Sequence, residues 1–242
     1  MAQLAISKAR LFLIAAAVVL LSIALRLFLP PSVSSSAQLS TSDEAIERGE
    51  YLVIAGGCIS CHRGEEDEES FIGGLALETD FGTFFAPNIT PDMETGIGSW
   101  QAEDFLLALK HGRKPGGSFY YPAFPFRAYA GLSDQDAVDI GSYLMSLDPK
   151  ANSVPDAQTP LWLNRWAMAG WNLMADISEV EYEAFDDELV ERGAYLARNL
   201  GHCSECHTPR NSLGILDATR EFAGATLGED VIEAIDAAAM EE

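Results

Sequence analysis

The apolar positions of this chain come in three arrangements. There is one unbroken run near the N-terminus, several stretches at helical spacing, and long intervals where turn residues interrupt any period. The unbroken run covers residues 11–25, with Lys8 and Arg10 before it and Arg26 and Pro30-Pro31 behind it. Thr41 and Glu44 form a T-x-x-E capping box and predict a helix through Ala45, Arg48, Gly49, Tyr51, Leu52 and Ile54 that stops at Gly56-Gly57. Ser99 predicts a cap for a helix over 100–111, with Phe105, Leu106 and Leu109 on its buried face and Gly112 as its stop. Ser133 and Asp136 cap another over 134–147, whose inward positions are Ala137, Val138, Ile140, Tyr143 and Leu144. Further helices are expected through Leu189, Tyr195 and Leu196 to Gly201, and over 229–240. Residues 73–100 are dominated by turn residues, and 120–126 is too rich in Pro for a helix. The expected fold class is all-α.

The pattern also repeats. Glu47-Arg48-Gly49-x-Tyr51-Leu52 recurs as Glu191-Arg192-Gly193-x-Tyr195-Leu196, each at nearly the same distance before a cysteine pair, which marks an internal duplication. The expected division is therefore a signal-anchor or transmembrane segment over 1–30 and a small-residue linker over 31–42. A first domain over 43–150, a Trp-rich connector over 151–180 and a short second domain over 181–242 follow. The connector, with Trp162, Trp166 and Trp171, reads either as a strap between the domains or as a contact for a partner or a membrane interface.

Charge narrows the partners. A net charge of −22 over 242 residues repels a phosphate backbone, so nucleic acid is excluded, and it favours a basic partner. The acidic run Glu65 to Glu69 is expected to be a solvated loop, or failing that a docking contact. The basic flank, apolar run and Ser-rich stretch at the N-terminus read as an export signal with Ala37 a cleavage point, or as an uncleaved anchor in which Arg26 snorkels. Both place the remainder outside the cytoplasm, in a bacterial periplasm at the inner membrane.

All four cysteines lie in two C-x-x-C-H runs, Cys58 to His62 and Cys203 to His207, the sequence form of covalent c-type haem attachment. Two thiols on one turn can bond the two vinyl groups of one porphyrin, and the following imidazole is placed as iron ligand. The residues singled out are thus Cys58, Cys61, Cys203 and Cys206 for attachment and His62 and His207 for iron, giving two covalently bound haem c. A zinc ribbon would want its pairs roughly 15–20 residues apart, and it would leave both histidines unexplained. No nucleophile set, phosphate loop or dinucleotide fingerprint appears, so no catalytic residue is assigned.

The chain also carries Phe81-Gly82-Thr83, Asn88 to Asp92 followed by Thr95 to Gly98, Tyr121-Pro122-Ala123, Arg165-Trp166 with Trp171, Gly201-His202-Cys203, and Cys206-His207-Thr208-Pro209-Arg210-Asn211 before Leu213-Gly214. On these motifs residues 47–224 resemble the multihaem cytochrome c subunits of membrane-bound alcohol, gluconate and aldehyde dehydrogenases. The resemblance implies tandem cytochrome c domains that relay electrons from a dehydrogenase subunit to quinone or a terminal oxidase. In many such relatives methionine follows Tyr-Pro-Ala as the sixth iron ligand, whereas Phe124 stands here. Met93 and Met145 are the remaining methionine candidates for the first haem, with His111 the spare histidine, and Met240 is the candidate for the second. Relatives also continue further beyond the second motif, so this second domain reads as trimmed, completed by another chain, or a fragment. The competing function is a dihaem peroxidase-like enzyme or a gas-binding protein with an open first haem.

Overall fold

Ser42 starts the first long helix, its Oγ accepting from the Ala45 amide at 3.3 Å, and helix α1 runs Asp43–Ala55. The computed structural model describes residues 10, 12–18, 21, 29–165, 167–178, 184–227 and 230–235. After α1 come a short helix α2 (Cys58–His62), a hairpin β1 (Ala76–Thr79) and β2 (Gly82–Phe85), then α3 (Ala102–His111), α4 (Phe126–Tyr129) and α5 (Asp134–Ser146). The connector holds α6 (Ala167–Ile177). The second repeat has α7 (Glu188–Tyr195), a π-helical turn Leu196–Leu200, α8 (Ser204–His207) and a hairpin β3 (Ala225–Leu227) and β4 (Asp230–Ile232).

The expected fold class is corrected in two respects. First, the chain is not all-α: β1 pairs antiparallel with β2, and β3 with β4. Strands of three and four residues are too short for a period-2 pattern to stand out from loop sequence. Residues 230–232, expected to begin a helix, form β4 instead. Second, the expected N-terminal transmembrane helix is not found: among the described residues no helix is long and apolar enough to cross a membrane, and most of residues 1–30 lie outside the described ones.

Helices α1 and α5 cross in contact at Gly49. A Cβ there would lie 2.1 Å from the Asp139 carbonyl oxygen and 2.7 Å from Tyr143 Cβ, so only glycine lets the backbones meet. Beside the crossing, Arg48 Nε donates to Asp139 Oδ2 at 2.8 Å, and Gln135 Nε2 to Oδ1 at 2.8 Å, satisfying a carboxylate that is 1% exposed. Leu52, Val53, Phe105, Tyr129, Leu132 and Ile140 form the core beneath, joined by Leu200 from the second repeat. Each such side chain contributes on the order of 1.5–3 kcal/mol by leaving water. The second repeat is thus built onto the core of the first.

Two stretches that read as connectors pack closely. Ala37 is buried with Leu106 and Val138, and the Ser40 amide donates to Ser142 Oγ at 3.0 Å, laying 31–42 along α3 and α5. The Trp-rich connector extends the first hairpin through a mutual pair of backbone bonds between Thr83 and Gln158. Met168 and Ala169 then bury against Phe84 and Phe119. Trp171 Nε1 donates to the Leu213 carbonyl at 2.8 Å, tying this strap to the second repeat. Trp162 stays exposed, and Trp166 lies outside the described residues.

Candidate functional site

Each cysteine pair sits on a helical turn that follows a long helix. In the first repeat Gly56 ends α1 and Gly57, at φ 62°, turns the chain into α2. That left-handed conformation favours glycine. In the second repeat the interval between the E-R-G-x-Y-L motif and the cysteines is one residue longer. The extra residue is absorbed as the π-helical turn, with the Gly201 amide donating to the Leu196 carbonyl at 2.7 Å. His202 follows at φ 41°, a conformation uncommon outside glycine.

The two histidines that follow the pairs are held alike. His62 Nδ1 lies 2.8 Å from the Pro87 carbonyl oxygen and His207 Nδ1 lies 2.7 Å from that of Glu233. A carbonyl can only accept, so Nδ1 carries the proton and Nε2 is left with its lone pair, the tautomer a metal-ligating imidazole uses. In both repeats the carbonyl comes just past the hairpin, beyond β2 or β4. In both, a left-handed glycine, Gly73 or Gly224, donates its amide to the histidine's own carbonyl at 2.8 Å. The hairpins therefore aim the imidazoles.

All four thiols are free. Burial pushes Cys58 up to about 12; it raises Cys61 as well, with the neighbouring Cys206 adding to it. Burial also raises Cys206, and it lowers His62 against the opposing effect of its Pro87 bond. Yet Cys58, Cys61 and His62 are only half-buried by contact with solvent. A cavity of about 550 Å³ lies beside the second motif, lined by Phe124, Tyr195, Arg198, Ser204, Arg210 and Ile215 but by none of the four cysteines or by His62 or His207. Among the described residues no three His, Cys, Asp or Glu side chains converge on a metal position. Paired thiols on one turn and an imidazole with free Nε2 fit a covalently held porphyrin.

The motifs are also packed together. Tyr129, raised well above the usual phenol range by burial and then by Cys58, Cys61 and Glu205, stands between them. Its ring meets His202 edge-on at 5.6 Å and Phe124 at 5.7 Å, and Phe124 in turn meets Tyr120 at 5.2 Å. Phe124 is thus held among aromatic rings at the edge of the core. Met145 packs against the core from α5, Met93 is 69% exposed in a turn, and His111 is exposed at the end of α3. Met240 lies outside the described residues. Sequence reasoning missed the carbonyls of Pro87 and Glu233 and the position of Tyr129 between the motifs. A backbone carbonyl leaves no residue signature, and Tyr129 reads as an ordinary apolar position.

Comparison with known proteins agrees with this geometry. Residues 46–148 match the family model described as cytochrome c. Over 218 residues the chain is 43% identical to a dihaem c-type cytochrome of Cereibacter sphaeroides, covering 86% of this chain and 72% of that one. It is 39% identical to the cytochrome c subunit of a gluconate 2-dehydrogenase of Pantoea cypripedii over 74% of this chain, and 39% identical to that of a quinone alcohol dehydrogenase of Gluconobacter oxydans over 72%. Of these last two relatives the chain spans only 42% and 37%. Such identity, extending over most of a relative whose name already counts its haems, leaves one assignment: the chain belongs to the cytochrome c family, proteins of electron transfer that carry covalently attached haem c.

Proposed function

We propose that this protein carries two haems, one at each cysteine pair, and relays electrons in the bacterial periplasm from a dehydrogenase subunit towards quinone or a terminal oxidase. The observation that carries the reading is the doubled histidine geometry, with Nδ1 of His62 and His207 each engaged by a main-chain carbonyl. When bound, haem supplies reversible one-electron chemistry at iron. The chain's own part is to fasten and orient: Cys58 with Cys61 and Cys203 with Cys206 form the thioethers, and the carbonyls of Pro87 and Glu233 hold the imidazole tautomer. Tyr129, Leu200 and His202 keep the two motifs at a fixed separation, as a relay requires. The names of the Pantoea and Gluconobacter relatives support a dehydrogenase as donor, and a net charge of −22 supports a basic docking face on the acceptor. The basic and apolar N-terminal run supports export.

The test is mass spectrometry with haem staining of the exported protein. Two haems are expected, with Cys58→Ala and Cys203→Ala each lowering the mass by one. His62→Ala should keep its haem yet turn high-spin at that site. A colourless preparation with four titratable thiols would overturn the proposal. The competing reading, a peroxidase-like or gas-binding first haem, draws on Phe124, which offers no lone pair. A low-spin ferric spectrum inert to CO, cyanide and peroxide would remove it.

A further inference from the structure

Acidic residues outnumber lysines and arginines by 37 to 15 in this chain, and several partly buried cations stand against carboxylates. Lys110 meets Asp134 at 2.5 Å, Arg127 meets Asp176 at 2.7 Å and Arg198 meets Glu221 at 2.9 Å. Lys114 and Arg165 differ. Both are half-buried, and among the described residues neither forms an ion pair. Lys114 Nζ lies 5.6 Å from the centre of the Tyr120 ring. The Arg165 guanidinium lies 4.7 Å from that of Tyr121, with Nη1 donating to the Phe119 carbonyl at 2.7 Å. Burial pushes the Lys114 ammonium down, the neighbouring Arg165 pushes it further, and Asp156 offsets them only in part. Two cations that repel one another, half out of water and facing no carboxylate, carry a cost that a bound anion would offset.

Their position relative to the first motif selects the anion. From Tyr120 a row of rings leads to the cysteines: Tyr120 meets Phe124 at 5.2 Å, Phe124 meets Tyr129 at 5.7 Å, and Cys58 and Cys61 add to the effect of burial on the Tyr129 phenol. From Tyr121 a second path leads to the imidazole. Its ring meets Phe84 at 5.2 Å, and Phe84 lies in β2, shortly before the Pro87 carbonyl that engages His62 Nδ1. The cation pair is thus joined by packed rings to both halves of the motif and separated from the thiols by the length of that row. A porphyrin tethered at the thiols by its vinyl edge carries its two carboxylates on the opposite edge. We infer that Lys114 and Arg165 are positioning residues that seat the two carboxylates of the porphyrin held by Cys58 and Cys61. The inference rests on the haem reading of the first motif. Lysine supplies a compact ammonium and arginine a planar fork that matches a carboxylate. Positive charge so placed also favours the reduced iron, since the added electron is attracted to it.

The test is a spectroelectrochemical titration of the haem-loaded full chain. Lys114→Gln and Arg165→Gln should each lower the midpoint of one haem by about tenfold in its reduction equilibrium, or about 59 mV, and leave the other haem unmoved. In a Cys58→Ala background, which keeps only the second haem, neither substitution should shift anything. Lys114→Arg and Arg165→Lys retain the charge and should retain the midpoint, which a purely structural role in the strap would not require. The propionate bending modes in resonance Raman spectra should move in the two Gln variants alone. A first-haem midpoint unchanged in both Gln variants would overturn the inference, as would an equal shift at both haems. So would saturable binding of inorganic phosphate that Lys114→Gln abolishes without moving the midpoint, since that assigns the pair to a free anion. Failure of the haem reading itself is a separate result, because Cys58→Ala would then leave haem content unchanged.

Discussion

Leu200→Ala tests whether the two repeats share one core. Leu200 is 1% exposed and sits in the cluster of Leu52, Val53 and Tyr129, with its Cδ1 3.3 Å from where a Cβ on Gly56 would stand. It lies within the π-helical turn, close before Cys203. Truncating a leucine so enclosed removes its transfer free energy and leaves a cavity that Gly56 has no side chain to fill, a loss of about 2–5 kcal/mol. For a chain of this size that corresponds to about 2–4 °C per kcal/mol, so a drop of roughly 6–12 °C in Tm is expected for a mid-range loss. Guanidinium and thermal unfolding followed together by far-ultraviolet circular dichroism and the haem Soret band would measure it. The matched control is Leu189→Ala, whose side chain is 84% exposed and which should change stability by less than about 0.5 kcal/mol. If Leu200→Ala cost no more than Leu189→Ala, the second repeat would not be anchored in the core of the first, and the fixed separation of the two motifs would lose its physical basis.

The two repeat glycines should respond with opposite sign. Gly49→Ala forces a methyl group against the Asp139 carbonyl and should cost about 1–3 kcal/mol. Gly193→Ala should gain up to about 1 kcal/mol by helix propensity, both read by urea unfolding. Trp171→Phe removes the indole donor to Leu213 and should cost about 1 kcal/mol, with greater proteolytic nicking between the repeats. Acid stability follows from Asp67 and Asp92. The hydrogen bond from Lys150 holds the first carboxyl below its usual range, and the backbone and side-chain bonds from Thr95 hold the second there. Both contributions are therefore complete above pH about 4 and fade as pH falls through the depressed folded values. Thr95→Val should shift the acid-unfolding midpoint upward, measured by circular dichroism between pH 2 and 6.

What the sequence determined by itself was local. Cysteines three apart with histidine next, Ser133 and Asp136 capping α5, and the repeated E-R-G-x-Y-L motif are all contained within a few turns of chain. Their chemistry is therefore readable before any folding is known. Helix α5 emerged where Ser133 capped it, whereas α3 begins at Ala102 with Gln101 rather than Ser99 as its cap, and Ser42 rather than Thr41 caps α1. The hairpins stayed hidden because strands so short carry no period. Only the tertiary structure decided which carbonyls, those of Pro87 and Glu233, fix the imidazoles, since a backbone oxygen is the same in every residue and its role comes entirely from where the chain returns. The same holds for the glycines: Gly49 and Gly193 share the E-R-G-x-Y-L context, yet Gly49 is sealed by α5 while no described residue covers Gly193, because a crossing needs two helices and a sequence motif describes one.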